Sequence, residues 1–166
     1  MKYTNNKVDY CIHSISDGNI FLEVARFEEF PEFIGSPTIL IGDIDVYDGV
    51  KNPGHCAPTL NYALQVLNVA RNHWAHLSWV VYQTPGGVRF ICDTMKEKES
   101  VKELILQSTC CDPIYRLICK RRGYYSARIL PKEGRTQVIV KKLWGYIFPD
   151  CSREFEKLTE MHESYV

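Results

Sequence analysis

Two aspartates at the end of an apolar segment are the residues of this sequence best suited to chemistry. Asp43 and Asp45 close the stretch 39-ILIGDID-45. In an extended strand, residues two apart project from the same face, about 6 to 7 Å apart. Two such carboxylates can share Mg²⁺ or Mn²⁺ ions, which orient phosphate oxygens and stabilise the charge that develops in an in-line displacement. A simpler interpretation is that the strand ends here and Asp48-Gly49 forms a turn.

Basic residues are concentrated later in the chain, and they would complement these acids. Between Arg116 and Lys142 the only acidic residue is Glu133, whereas residues 17–48 are rich in acids. A basic segment facing an acidic cluster suits an anionic ligand that is held together with metal ions. The alternative is an ordinary solvated basic face. The basic residues that alternate with apolar ones around Pro131, and so are candidate phosphate ligands, are Arg128, Lys132 and Arg135.

Three further residues are candidates for the same pocket, each with an alternative role. Asp112 lies directly before Pro113, a pattern typical of a helix N-cap, so it is either a cap or a third acidic ligand. Asp93 follows a predicted strand and is the reserve third carboxylate. His55 lies in the loop after the acids and is expected to reach their pocket.

The order of these motifs resembles the catalytic core of the archaeo-eukaryotic primase superfamily, the primase-polymerases. In that family an apolar strand ends in D-x-D, a hairpin with a small turn follows, and an apolar residue with aspartate precedes a basic stretch. The matching segments here fall between residues 38 and 143, and they are 39-ILIGDID-45, 82-YQTPGGVRFI-91, 110-CCDP-113 and 128-RILPKEGR-135.

The resemblance implies an RRM-like core that binds a nucleoside triphosphate with Mg²⁺ or Mn²⁺ and acts as a nucleotidyltransferase in DNA or RNA synthesis or replication. It implies that Asp43, Asp45 and Asp112 are catalytic carboxylates, the first two of them metal ligands. Arg89 stands where the family has a phosphate-contacting histidine, and an arginine can bind phosphate in a bidentate way. The alternative is a non-catalytic module of similar fold that binds a nucleotide, nucleic acid or a protein.

The secondary structure expected from the sequence is α/β, more specifically α+β, with hairpins in a mixed or antiparallel sheet and about four flanking helices. The hairpin turns are expected at residues 16–19 and 84–87, and the irregular connections at 30–37 and 48–58. The predicted strands are 10–14, 20–26, 38–45, 77–83, 88–93, 124–130 and 136–143, and the predicted helices begin at Pro58, near residue 96, at Asp112-Pro113 and at Ser152.

The bulk composition bounds the remaining expectations. A chain of 166 residues that is 45% hydrophobic suits one domain over 1–166, with a C-terminal helix in 150–166. No apolar run of membrane-spanning length exists, so we expect a cytoplasmic protein. Seven cysteines without a C-x-x-C pair favour free thiols over disulfides or a zinc site. So small a domain is expected to need a partner protein or a homo-oligomer to hold a template.

Overall fold

The computed structural model describes residues 4–5, 8–16, 20–25 and 30–166, with side chains for 20–24 and 30–166. The strands of this part of the chain are β1 (Thr4–Asn5), β2 (Val8–Ser16), β3 (Ile20–Ala25), β4 (Pro31–Ser36), β5 (Leu40–Asp45), β6 (Trp79–Thr84), β7 (Gly87–Cys92), β8 (Tyr125–Arg128) and β9 (Lys141–Tyr146). The α-helices are α1 (Leu60–His73), α2 (Glu99–Ser108), α3 (Pro113–Arg122) and α4 (Arg153–Tyr165), and a 3₁₀ turn spans Pro53–His55.

The strands form two antiparallel sheets, which confirms the expected α+β class. One sheet has the order β1-β2-β3-β4-β8, and the other has the order β5-β7-β6-β9. In the second sheet α1 carries the chain from β5 to β6, and β7 returns between them, which is the start of an RRM-like split βαβ unit. The register pairs Asp43 with Arg89 and Asp45 with Gly87, so the acids lie beside the turn of the β6–β7 hairpin.

A tyrosine side chain joins the two sheets. The hydroxyl of Tyr115, on α3, donates to the carbonyl oxygen of Ile41 at 2.6 Å and accepts from the backbone N–H of Ser126 at 3.3 Å. Ile41 lies in β5 and Ser126 in β8. Strand β8 is therefore held on the β5 side of the second sheet, where an RRM-like unit has its fourth strand, although β8 itself pairs with β4.

Several helix boundaries follow local sequence signals. Helix α3 begins after Asp112, whose side chain accepts from Ile114 N, and ends at Gly123 with a φ of 81°. Helix α4 begins after Ser152, whose side chain accepts from Phe155 N. These two predictions are confirmed. The prediction that Pro58 opens α1 is wrong by two residues, because Thr59 is the N-cap.

The prediction of an irregular connection at 30–37 is wrong, because β4 lies within it. Pro31 is the first residue of this strand and Pro37 follows its last. A proline has no N–H to donate to a ladder, so prolines at both ends can delimit a strand as well as a loop. Ile34, between them, is fully buried, and β4 pairs with both β3 and β8. The expected turn at 16–19 falls largely outside the described residues.

Helix α4 packs against the first sheet and delivers buried side chains to the core. Phe155, Leu158, Thr159 and His162 are its buried residues, and they recur at helical spacing along one face. No helix in the described part of the chain is long and apolar enough to cross a membrane.

Candidate functional site

A cleft of about 310 Å³ lies between the ends of β5 and β7, strand β8, the start of α3 and the segment 131–138. Most of the residues proposed from the sequence line this cleft, although they come from four separate segments of the chain. They are Asp43, Asp45, Arg89, Asp112, Arg128, Lys132 and Arg135.

The two aspartates of β5 lie on the same face of the strand, as their spacing predicts. Ile44 between them is buried, while the side chains of Asp43 and Asp45 are 43% and 48% exposed. Burial raises the pKa of Asp45, Lys51 and Lys132 oppose that rise, and the negative charges of Asp43 and Asp112 add to it. Asp43 and Asp112 therefore both repel Asp45 across the cleft, and a cation beside Asp45 would relieve this repulsion.

Asp43 is held by a buried arginine. Arg89 Nε lies 2.9 Å from Asp43 Oδ1, and Arg89 Nη2 lies 3.5 Å from Asp43 Oδ2. Arg89 Nη1 donates to the carbonyl oxygen of Arg128 at 2.7 Å and to His162 Nε2 at 3.0 Å. The Arg89 side chain is only 4% exposed. Its donors are thus mostly occupied by protein acceptors, which fits a role in orienting Asp43 better than the expected contact with phosphate.

His162 is a site residue that the sequence reasoning missed. The ring is fully buried, packs against Tyr82 at a centroid distance of 4.9 Å, and accepts a hydrogen bond from Arg89 through Nε2. The proton must then sit on Nδ1, which has no partner among the described residues. Burial, and then the charge of Arg89, lower the pKa of His162 to about 3. The apolar periodicity of Phe155, Leu158 and His162 was the signal that could have placed it in the core.

This buried histidine predicts a specific loss of stability in acid. The pKa of His162 is about 6.5 in the unfolded chain and about 3 in the folded protein, so the unfolded chain takes up the proton first as the pH falls. The contribution of neutral His162 to the free energy of unfolding is fully present above pH 6.5 and decreases toward pH 3. Lowering the pH from 7 to 5 should reduce the free energy of unfolding by about 2 kcal/mol through His162 alone. Denaturant unfolding at both pH values measures it.

The matched variant for this prediction is His162→Gln, whose amide oxygen can still accept from Arg89. Because glutamine does not titrate, this variant should not show the loss of about 2 kcal/mol in unfolding free energy between pH 7 and 5. Equal pH dependence in the two proteins would contradict a neutral buried His162.

Asp112 is a helix cap that also borders the cleft. Its Oδ1 accepts from Ile114 N at 2.9 Å, and His55 Nδ1 lies 3.6 Å from the same oxygen. His55 therefore contacts a cleft residue without lining the cleft itself. Asp112 therefore caps α3 and also adds negative charge to the cleft.

Asp93 does not belong to this site, so the prediction that it could serve as the third carboxylate is wrong. Its Oδ2 accepts from Ser152 N at 2.6 Å and its Oδ1 accepts from Ser152 Oγ at 2.7 Å, which anchors the start of α4. Asp93 follows the far end of β7, six residues from Gly87, or roughly 20 Å along the strand.

No group of three or more His, Cys, Asp or Glu side chains in the described part of the chain is arranged to hold a metal ion. The protein ligands for a cation in the cleft would thus be Asp43 and Asp45 alone. Mg²⁺ is commonly bound by one or two carboxylates with phosphate oxygens and water as the other ligands, so this pair is sufficient only together with a phosphate ligand. The cysteines with described side chains are all free.

The basic residues of the cleft differ in how far they are already engaged. Arg128 Nη1 pairs with Glu32 Oε1 at 2.9 Å, and its guanidinium lies over the Phe33 ring at 4.7 Å. Lys132 and Arg135 are exposed, and within the described residues their side chains make no hydrogen bond or ion pair. Lys132 and Arg135 are therefore the cations of this wall that are available to an anionic ligand.

Lys51 is a second residue that sequence reasoning missed. Its Nζ lies 3.7 Å from Asp45 Oδ1 and contacts the carbonyl oxygens of Val46 and Gly86. It lies only six residues after Asp45 in an irregular loop, so periodicity could not have indicated its direction.

Compared with known proteins, the chain matches no protein-family model, no curated protein and no solved structure.

Proposed function

We propose that the cleft binds a nucleoside triphosphate together with Mg²⁺ or Mn²⁺ and that the protein is a primase-like nucleotidyltransferase. The observation that carries the proposal is the convergence of Asp43 and Asp45 with Lys132 and Arg135 in one cleft, although β5 and the segment 131–138 are distant in sequence. Acids on one wall and available cations on the other match the two requirements of a metal-bound polyphosphate.

In this proposal the residues of the cleft have different tasks. Asp43, fixed by Arg89, and Asp45 would hold the cation, while Lys132 and Arg135 would contact phosphate oxygens. In nucleotidyl transfer a 3′-hydroxyl attacks the α-phosphate and loses its proton to solvent, the new O–P bond forms, and the bond from the α-phosphorus to the oxygen that bridges to the β-phosphate breaks to release pyrophosphate. The bound cation would stabilise the negative charge on the transferred phosphate.

The size of the cleft agrees with a polyphosphate more than with an enclosed whole nucleotide. At about 310 Å³ it is at the lower end of the range for ligand pockets. The phosphates and the cation would occupy it, and the base would extend outward along the protein surface. A nucleic-acid strand or a partner protein, which the resemblance to primases implies, would then meet the base outside the cleft.

The engagement of Arg89 favours a second candidate function. The residue that stands at the family's phosphate-contacting histidine is buried and bonded to Asp43, Arg128 and His162. A non-catalytic module that retains the cleft for a nucleotide, without transferring it, would need no free residue there. Nucleotide binding without incorporation into a primer would identify this module.

Titration calorimetry with adenosine triphosphate, with and without Mn²⁺, tests the proposal. Asp45→Asn is the informative variant, because Asp45 takes no part in the buried Arg89 network. It should weaken Mn²⁺-dependent binding by at least about tenfold, equivalent to about 1.4 kcal/mol. Asp150→Asn, an exposed aspartate outside the cleft, is the matched control and should bind as the wild type does. Equal affinity for Asp45→Asn and wild type would refute the cation site.

A further inference from the structure

Three charged groups converge on one point above Gly86, at the turn of the β6–β7 hairpin. A Cβ atom built on Gly86 would lie 3.3 Å from Lys51 Nζ, 3.7 Å from Arg135 Nη1 and 3.8 Å from Asp45 Oδ1. The three groups therefore surround the side of Gly86 from which a side chain would project. The Lys51 and Arg135 nitrogens are at most about 7 Å apart, so a single phosphate group between them can contact both.

Lys51 is anchored loosely enough to bind another ligand. Its ammonium group lies 3.4 Å from Val46 O, 3.3 Å from Gly86 O and 3.7 Å from Asp45 Oδ1. All three distances exceed the usual 2.7 to 3.2 Å of an N–H···O hydrogen bond. A phosphate oxygen between Lys51 and Arg135 would give the ammonium group a shorter, charge-assisted contact.

A second cleft continues the first one across this turn. It has a volume of about 240 Å³ and includes Tyr47, Asp48 and Lys51 among its lining residues. The two clefts share Thr84, Pro85, Gly86 and Arg135. Arg135 therefore stands where they meet, and an elongated ligand can pass from the acids of the first cleft over Gly86 into the second.

We propose that Lys51 and Arg135 form a subsite for the terminal phosphates of the bound nucleotide, an inference that rests on the function proposed above. With a cation at Asp43 and Asp45, the β- and γ-phosphates extend over Gly86 between the two cationic side chains. The ligand class is then a nucleoside triphosphate, because a monophosphate has no group that reaches the subsite. Inorganic tripolyphosphate carries the same terminal groups and binds there without a nucleoside.

The test uses the full chain and calorimetric titration of adenosine triphosphate, adenosine monophosphate and inorganic tripolyphosphate, each with Mn²⁺. Lys51→Met should weaken triphosphate and tripolyphosphate binding about tenfold and change monophosphate binding less than about twofold. Lys120→Met is the matched control, since Lys120 also lies 3.7 Å from a carboxylate, that of Glu103, but outside both clefts. It should bind all three ligands as the wild type does.

Two further variants keep the inference testable if Lys51→Met does not fold. Gly86→Ala places a methyl group among the three charged groups, where it would crowd a phosphate held between Lys51 and Arg135, and Gly86 does not have a positive φ, so alanine suits its backbone. Gly145→Ala, whose nearest neighbour would be 3.6 Å away, is its control. Arg135→Gln removes an exposed side chain that makes no hydrogen bond or ion pair within the described residues. Gly86→Ala and Arg135→Gln should each lower tripolyphosphate affinity at least about threefold.

The outcomes separate this inference from the proposed function. Tripolyphosphate affinity that is unchanged in Lys51→Met, Gly86→Ala and Arg135→Gln overturns the subsite, as does a wild type that binds no tripolyphosphate. If these variants lose tripolyphosphate while adenosine triphosphate binds independently of Mn²⁺ and of Asp45, the subsite stands and the metal-dependent nucleotidyltransferase fails.

Discussion

Replacing Arg89 with methionine should lower the free energy of unfolding by about 3 kcal/mol or more, as measured by denaturant titration. The change removes a buried guanidinium that bonds three separate groups. Asp43 would lose its partner, and the Arg128 carbonyl oxygen and His162 Nε2 would lose their donor in the protein interior. A buried acceptor left without a partner costs about 1 to 3 kcal/mol.

Arg153→Met is the control for this prediction, because Arg153 is an exposed arginine on α4. Its stability should stay within about 0.5 kcal/mol of the wild type. If Arg89→Met lowered the free energy of unfolding as little as Arg153→Met, the buried network would contribute nothing measurable to stability. Arg89 would then have no demonstrated role in positioning Asp43.

The two aspartates of β5 should differ in the same assay. Asp43→Asn leaves Arg89 buried with its charge no longer paired, so it should be destabilising. Asp45→Asn removes a carboxylate whose pKa is raised, chiefly by burial, so the fold loses little ionic stabilisation there. A double-mutant cycle over Asp43 and Arg89 isolates their coupling, which we expect to exceed about 1 kcal/mol. Additive effects would contradict a direct interaction.

Gly87→Ala should destabilise the protein by about 3 kcal/mol or prevent folding altogether. A Cβ at Gly87 would overlap the Ile44 carbonyl oxygen and lie 3.0 Å from the Ile44 carbonyl carbon, both backbone atoms of the neighbouring strand. Strand β5 would have to move away from β7 at the position where Asp45 pairs with Gly87. Thermal unfolding checks the loss of stability, and a folded variant should also bind triphosphate more weakly.

The adjacent substitution Gly86→Ala provides the comparison within the same turn. Its Cβ would approach only the mobile ends of the Lys51, Arg135 and Asp45 side chains, so its stability should change by less than about 1 kcal/mol. Equal losses in Gly86→Ala and Gly87→Ala would mean that the turn conformation, and not the approach of β5, requires glycine.

Signals confined to neighbouring residues predicted much of the fold. The cap Asp112, the proline after it and the closing Gly123 define α3, and each acts through hydrogen bonds or φ angles of its own segment. The turn 84–87 and a buried apolar strand ending at Asp45 were likewise predicted, and the spacing of two residues placed Asp43 and Asp45 on one face. The strand β4 was missed, because its pairing with β3 and β8 depends on segments elsewhere in the chain.

The sequence by itself determined which residue types are present, the local elements that carry them and the shared face of Asp43 and Asp45. The tertiary structure alone decided which polar groups meet. Arg89 binds Asp43 and His162, Asp93 accepts from Ser152, and Lys51 lies beside Gly86. Helix and turn signals act over three or four residues, whereas the ion pair between residues 43 and 89 and the hydrogen bond between residues 89 and 162 exist only after the sheets and α4 have packed.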